Sequence, residues 1–271
     1  MPVNEGHGVS PAPVLESKGL RKSFGGVAAV DGFEAEFTAG TVTGLVGPNG
    51  SGKSTVIDLL CGRLVPDGGA VTLHGRDVSG LSTAKRARLG LVRTFQTPRL
   101  WRGLSVGENL LAASPACGRD QLWRTFLRPG PLREREASDG LRAEEILGAF
   151  KLWPLRNDLA GTLSGGQARL LELGRVMMSR ATVALLDEPL SGVNPVMSQQ
   201  VVTAVNQVRE SGVTVLLVEH HMEILQQLCP KVIGMVAGRV VASGPLDFLL
   251  QDDAFTGAYL GETLSGNIAS E

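Results

Sequence analysis

Residues 44–56 read GLVGPNGSGKSTV, and this stretch decides the fold class. It carries four glycines and one lysine between an apolar run that can form a strand and VIDLLC, which can continue a helix. Within it, residues 47–54 fit the pattern G-x-x-x-x-G-K-[ST]. A strand, a glycine-rich loop and a helix in this order predict a nucleotide-binding α/β protein.

The chemistry of this loop suits the phosphates of a nucleoside triphosphate. Glycine lets the backbone wrap closely around a ligand, and the helix start adds the positive end of its dipole. Lys53 should reach the β- and γ-phosphates, and Ser54 should hold Mg²⁺. A turn that only reverses the chain is the alternative, which the lysine and the hydroxyl at the required places disfavour. The predicted phosphate-binding residues are Gly47, Pro48, Asn49, Gly50, Ser51, Gly52, Lys53, Ser54 and Thr55.

Two further stretches complete a possible site. The apolar run VALLDE ends in the carboxylates of Asp187 and Glu188, and ligands of parallel sheets bind where strands end. We expect Asp187 to hold Mg²⁺ and Glu188 to orient and deprotonate a water, unless both are solvated acids at a strand end. LSGGQ, residues 163–167, opens a helical stretch and can bind an anion, or it is an ordinary helix cap.

Composition excludes several classes of protein. The 271 residues are 43% hydrophobic and carry a net charge of −1, which gives no basic field for nucleic acid. Three distant cysteines indicate a reducing compartment without disulfides or a metal cluster. No apolar run approaches the roughly 18 residues that span a bilayer, and the first residues lack the features of a secretory signal. These features predict a soluble, cytoplasmic protein.

Patterning along the chain predicts one α/β domain with a helical insertion. Short strands are expected in residues 14–46, in PDGGAVTLHG and at 90–95, and strands return from 181, alternating with helices as in a parallel sheet covered on both faces. Between the helical patterns, residues 113–136 suggest an irregular excursion with one short helix. The predicted division is a disordered lead at 1–13, a domain at 14–251 (core 14–96 and 181–251, helical subdomain 97–180), and a C-terminal extension at 252–271.

The stretches GPNGSGKST, VRTFQ, LSGGQ, VALLDEP, SGVNP and VEHHM, in this order, resemble the ATP-binding cassette (ABC) ATPase family over about residues 14–262. The resemblance implies an α/β fold: a P-loop NTPase with a RecA-like core, an antiparallel β subdomain and an inserted α-helical subdomain. It also implies ATP and Mg²⁺ as cofactors, and hydrolysis of ATP as the activity.

The resemblance assigns roles residue by residue. Phe24 would stack on the adenine ring, or else pack in the core. Gln96 would contact Mg²⁺ and the attacking water, unless it is only a polar residue at a strand end. His220 would contact the γ-phosphate, unless it is a structural histidine. The implied catalytic residues are Glu188, His220, Gln96 and Lys53, and the implied metal ligands are Ser54, Gln96 and Asp187. His221 departs from the aspartate usual in the family.

The family also implies partners. Two cassettes would pack head to tail, each capping the other's ATP with the signature residues Leu163, Ser164, Gly165, Gly166 and Gln167. The residues 191–195 match the loop that crosses between subunits. One chain therefore needs a second ABC ATPase subunit, identical or not. Transport would need two integral-membrane permeases and an external solute-binding protein, and would place the chain at the cytoplasmic face of the membrane.

Within the family, residues 91–111, the long excursion, LVEHHM and the ending AYLGE are most similar to ATPases of branched-chain amino-acid importers. Urea or amide importers, lipopolysaccharide exporters and soluble ABC ATPases are the alternatives. Leu100, Trp101 and Leu104 could line a groove for a permease helix, or belong to the core of the helical block. Arg124, Arg128, Arg133 and Arg135 could meet lipid headgroups, but a solvated face is the favoured interpretation.

Overall fold

The computed structural model describes residues 12–115 and 129–259, and of residues 129–136 it describes the backbone alone. The strands form two sheets. Of the predicted lead at residues 1–13, residues 1–11 lie outside the described residues, and Pro13 already belongs to a strand. Arg124, Arg128, the end of the AYLGE stretch and the side chains of Arg133 and Arg135 also lie outside the described residues.

The larger sheet has six strands in the order β10-β9-β3-β8-β7-β6. All neighbours in it are parallel except the edge strand β10, which runs antiparallel to β9. Its strands are β3 (Val42–Val46), β6 (Leu91–Arg93), β7 (Val183–Asp187), β8 (Thr214–Val218), β9 (Lys231–Val236) and β10 (Arg239–Gly244). All five residues of β3 and of β8 are buried, as expected of central strands that are covered on both faces.

The smaller sheet is antiparallel, in the order β2-β1-β4-β5. Its strands are β1 (Pro13–Phe24), β2 (Val27–Thr38), β4 (Gly68–Leu73) and β5 (Arg76–Asp77). Alternating burial along β2 places Phe33 and Phe37 against the helix that follows the phosphate loop. This sheet is the predicted antiparallel β subdomain.

Helices cover the parallel sheet and form the block between β6 and β7. They are α1 (Lys53–Leu60), α2 (Thr83–Arg88), α3 (Val106–Leu111), α4 (Pro129–Ala149), α5 (Gly165–Met178), α6 (Pro195–Glu210), α7 (Met222–Leu228) and α8 (Leu246–Leu249). None of the helices in the two described ranges has an apolar stretch long enough to cross a bilayer. The strand and helix order confirms the predicted fold class.

One helix was not predicted from the sequence, and one segment predicted to be irregular is partly helical. The helix is α2, whose polar residues TAKRAR include the completely buried Arg86. Arg86 donates to the carbonyl oxygens of Leu59 and Leu60 at 2.8 and 2.7 Å, and so closes the C-terminal end of α1. The expectation of an irregular excursion is wrong for residues 129–136, which form the first turns of the 21-residue α4. Prolines are tolerated at such a helix start, because the first N–H groups have no partner within the helix.

Candidate active site

The phosphate loop leaves β3 at the C-terminal end of the strand and enters α1. Gly47, Gly50 and Gly52 have positive φ angles of 159°, 74° and 102°. A Cβ atom at Gly47 would lie 2.1 Å from the carbonyl oxygen of Met235, and one at Gly52 would lie 2.3 Å from that of Ala29. The loop is therefore held against backbone of β9 and β2, and only glycine fits at these two positions.

The loop also contains the polar groups that a phosphate requires. Lys53 is buried, and its Nζ donates to the carbonyl oxygens of Gly47 and Pro48 at 2.7 and 2.8 Å. The Ser51 hydroxyl is buried without a hydrogen-bond partner among the described residues. The N-cap residue of α1 is Gly52, which offers no side chain to the first N–H groups of the helix. These groups fit a triphosphate at the helix start.

Asp187, at the end of β7, is joined to α1 by an arginine that the sequence analysis did not single out. Arg93 of β6 donates to Asp187 Oδ2 at 2.8 Å and forms a short ion pair with Asp58 of α1. Burial opposes the charge of Arg93, but the two carboxylates outweigh it and raise the pKa of the guanidinium above its ordinary value. The pair fixes α1, and with it the loop, relative to the predicted metal ligand.

Three predicted catalytic residues meet at Glu188. Its Oε2 accepts a hydrogen bond from Gln96 Nε2 at 2.8 Å, and its Oε1 lies 2.8 Å from His220 Nε2. Each residue follows a different strand of the parallel sheet: β6, β7 and β8. Glu188 has a φ of 46°, the left-handed region that non-glycine residues rarely adopt and that clusters at functional sites.

The signature residues form the start of α5. Ser164 is the N-cap: its Oγ accepts from Gln167 N–H at 3.3 Å, while Gln167 Oε1 accepts from Ser164 N–H at 2.9 Å. Farther along the helix, buried Arg169 donates to the carbonyl oxygens of Phe95 and Gln96. The helix that carries LSGGQ is thereby tied to the segment that carries Gln96.

Phe24 and the permease candidates have separate environments. Phe24 ends β1 with 49% of its surface exposed, and Lys22 Nζ lies 5.8 Å from the centre of its ring. Phe24 is therefore not packed in the core, which was the alternative interpretation. Leu100 packs against the core, whereas Trp101 is 45% exposed beneath the guanidinium of Arg175.

The comparisons with known proteins agree with this geometry. The family model described as "ABC transporter" matches residues 30–191. The chain belongs to the ABC transporter family. It is accordingly an ATP-binding, ATP-hydrolysing protein of the kind that drives transport.

Curated ABC relatives match nearly end to end. A high-affinity branched-chain amino acid transport ATP-binding protein, BraF, of Pseudomonas aeruginosa is 38% identical, over 92% of this chain and 98% of the relative. The LivG protein of Escherichia coli, of the same description, is 33% identical with the same coverage of both chains. A probable LivG of Methanocaldococcus jannaschii is 34% identical, again over 92% and 98%.

Solved ABC structures confirm the fold. A nucleotide-free ATP-binding cassette from an ABC transporter has a TM-score of 0.77 at 33% identity, covering 91% of this chain and 98% of that one. A cassette in its ADP conformation also has a TM-score of 0.77, at 31% identity, covering 92% and 99%.

Proposed function

We propose that this ABC ATPase powers the import of branched-chain or other hydrophobic amino acids. The observation that supports the solute class is the end-to-end similarity to relatives described as branched-chain amino acid transport ATP-binding proteins. The chain would act at the cytoplasmic face of the membrane, bound to two permeases. An external solute-binding protein would deliver the solute to these permeases.

In the proposed site, Glu188 is the base that accepts a proton from the attacking water. Gln96 and His220 hold its carboxylate from two sides, which orients the oxygen atoms for this transfer. His220 and Lys53 would then meet the γ-phosphate, and Phe24 would stack on the adenine. A base of this kind contributes roughly 10²- to 10⁴-fold to a rate.

Mg²⁺ would be held by Ser54, Asp187 and Gln96, and its chemistry is the neutralisation of charge on the phosphates. The described residues contain no cluster of three or more histidine, cysteine or acidic side chains suited to a metal. One carboxylate and a hydroxyl suit Mg²⁺, which commonly binds through one or two carboxylates together with substrate phosphates. Arg93 keeps Asp187 in place for this purpose.

The proposed partners follow from two surfaces. Ser164 and Gly165 are exposed at the start of α5, where they can cap ATP bound to a second cassette. Trp101 is exposed beside the Gln96 segment, and its backbone N–H and C=O are both bonded to Asn109 at 3.0 Å, which makes it a firm contact for a permease helix. Trp101→Ala should therefore reduce coupled transport and assembly of the complex.

The deciding experiment is a pull-down with tagged Glu188→Gln and Mg-ATP from detergent-solubilised membranes of the source organism, read by mass spectrometry. Two polytopic permeases should be recovered, and the double variant Glu188→Gln, Lys53→Met, which is expected to lose ATP, is the matched control. Uptake of labelled leucine or urea by cells that contain those permeases then separates the solute classes. Recovery of ribosomal or DNA-bound proteins alone would contradict the transport role.

Turnover by purified Glu188→Gln tests the assignment of the base separately. We expect ATP to bind, a stable dimer to form and hydrolysis to fall by about 10²-fold or more. Hydrolysis at the rate of the unmodified chain would remove Glu188 as the base.

A further inference from the structure

Glu219 follows the last residue of β8 in the sequence and precedes His220, and its carboxylate is buried. Only 1% of its surface is exposed. A buried carboxyl group is costly unless hydrogen bonds satisfy its oxygen atoms. The hydrogen-bond partners of the Glu219 carboxylate therefore indicate its role.

Two backbone N–H donors and the ring of His221 surround the Glu219 carboxylate. Oε1 accepts a hydrogen bond from Leu190 N–H at 3.0 Å. Oε2 accepts from His220 N–H at 3.1 Å and lies 3.0 Å from Nδ1 of the His221 ring. The donors come from two segments of the chain, one after β7 and one after β8.

These two segments carry the reacting groups. Leu190 lies two residues after Glu188, whose own N–H donates to the carbonyl oxygen of Val218 at 3.0 Å. His220 contacts the Glu188 carboxylate through its ring at 2.8 Å. Backbone and hydrogen bonds thus form a closed circuit that runs from Glu188 through Leu190, Glu219 and His220 back to Glu188.

We propose that Glu219 is a positioning residue for ATP hydrolysis: its buried carboxylate holds the loop after Glu188 in register with His220. The proposal rests on the function proposed above, in which Glu188 and His220 act on the water and the γ-phosphate. Glu219 does not touch the phosphate loop or Phe24 in the contacts of the described residues. Its effect should therefore fall on the rate of the chemical step and leave ATP binding in place.

Glu219→Gln is the sharpest test, because the amide has nearly the same size but replaces one acceptor oxygen by an NH₂ donor. That donor would face an N–H group, so one end of the circuit must open. A misplacement of this kind can cost on the order of 10²-fold in rate. We expect kcat to fall about 10- to 100-fold while KM for ATP stays within about 3-fold.

The matched control is Glu223→Gln, an exposed carboxylate in the first turn of α7, which should leave kcat unchanged. Ring resonances of His220 in NMR spectra should move in Glu219→Gln and stay in place in the control. With four histidines in the chain, these signals can be assigned by substitution. Glu219→Asp, which keeps the charge but shortens the reach, should give an intermediate kcat.

Two results would overturn the proposal. One is a kcat in Glu219→Gln within about 2-fold of the unmodified chain. The other is a joint loss of ATP affinity and thermal stability with His220 resonances unmoved, which would mark a structural role only. Should the variants not fold, amide hydrogen exchange in the unmodified chain decides: Leu190 and His220 N–H must both be protected, and fast exchange at Leu190 would refute the contact. Failure of the Glu188 assignment is recognised independently, by normal turnover in Glu188→Gln.

Discussion

Two glycine-rich helix starts, those of α1 and α5, differ in how they treat their own N–H groups. The N-cap of α1 is Gly52, which has a φ of 102° and no side chain to accept a hydrogen bond. The N-cap of α5 is Ser164, which forms a reciprocal capping box with Gln167. The first helix leaves its N–H groups to a ligand, whereas the second has already satisfied part of them. The first is suited to bind phosphate by itself, and the second to add to a site that another subunit has formed.

The glycines of the two helix starts differ in the same sense. Gly47 and Gly52 touch backbone carbonyl oxygens and cannot accept a side chain. Gly165 is exposed and has open space around the position of a Cβ atom, whereas Gly166 is buried and a Cβ atom there would lie 2.9 Å from the Cβ atom of Met197. Gly47 and Gly52 of the phosphate loop are required by the fold, while Gly165 of the signature keeps a surface open for a partner.

The largest expected effect is that of Gly52→Ala. The left-handed φ and the contact with Ala29 must distort the loop, so we expect ATP affinity of the isolated chain to fall at least about 100-fold, since strain and misplaced phosphate contacts add. Calorimetric titration with ATP measures this. Gly165→Ala is the control and should bind ATP as the unmodified chain does. Equal affinities in both variants would remove the distinction between the two helix starts.

Arg93→Met tests how firmly α1 is anchored. Its removal takes the ion-pair partner from the largely buried Asp187 and leaves Asp58 with only the longer contact to Arg63 at 3.7 Å, which should lower the free energy of unfolding by about 3 kcal/mol. Urea denaturation measures the loss. Arg239→Met, which removes an exposed ion pair with Asp31, is the control and should cost about 1 kcal/mol or less. Similar losses in the two variants would show that Arg93 has no special anchoring role.

Ser164→Ala should have a smaller effect on the fold, because it removes only the cap of α5. We expect the free energy of unfolding to fall by about 1 kcal/mol, and ATP affinity of the isolated chain to remain unchanged. The rate of ATP hydrolysis should also fall, because hydrolysis needs the second cassette in the proposed dimer. A loss of ATP affinity in the isolated chain would contradict the comparison.

The smallest expected effect concerns Glu172 of α5. Burial raises the pKa of this carboxyl group from its ordinary 4.5, although Arg169 partly opposes the shift. A raised pKa in the folded chain means a contribution to stability that is present below pH 4.5 and lost as the pH rises through the folded value. Glu172→Gln should therefore gain stability relative to the unmodified chain as pH rises above 4.5. Parallel stability curves for the two proteins would contradict the shift.

Patterns that are local in sequence predicted most of this molecule. The strands β3, β7 and β8 are apolar runs, and the phosphate loop and the signature are contiguous motifs, so their places could be inferred without a structure. The trio at Glu188 could also be expected, because Gln96, Glu188 and His220 each follow a strand of one parallel sheet. The division into subdomains and the roles of individual site residues remain predictions.

What the sequence did not reveal depends on partners distant along the chain. Arg86 lies in a polar segment that resembles a solvated helix, and only the carbonyl groups at the end of α1 make its burial favourable. Arg93 and Glu219 likewise stand inside recognised motifs, VRTFQ and VEHHM, without any local sign of their contacts. A charged residue directly at the end of a buried strand is the signal that could have identified both.

The contacts of Gly47 and Gly52 with the carbonyl oxygens of Met235 and Ala29 have an evolutionary consequence. Because this support comes from the path of the main chain, the supporting strands can exchange side chains without disturbing the loop, provided that the strands keep their course. Many residues around the phosphate loop can therefore change during evolution while the geometry of the loop stays the same. Relatives that share only about a third of their residues with this chain, yet superimpose on it, are the expected outcome.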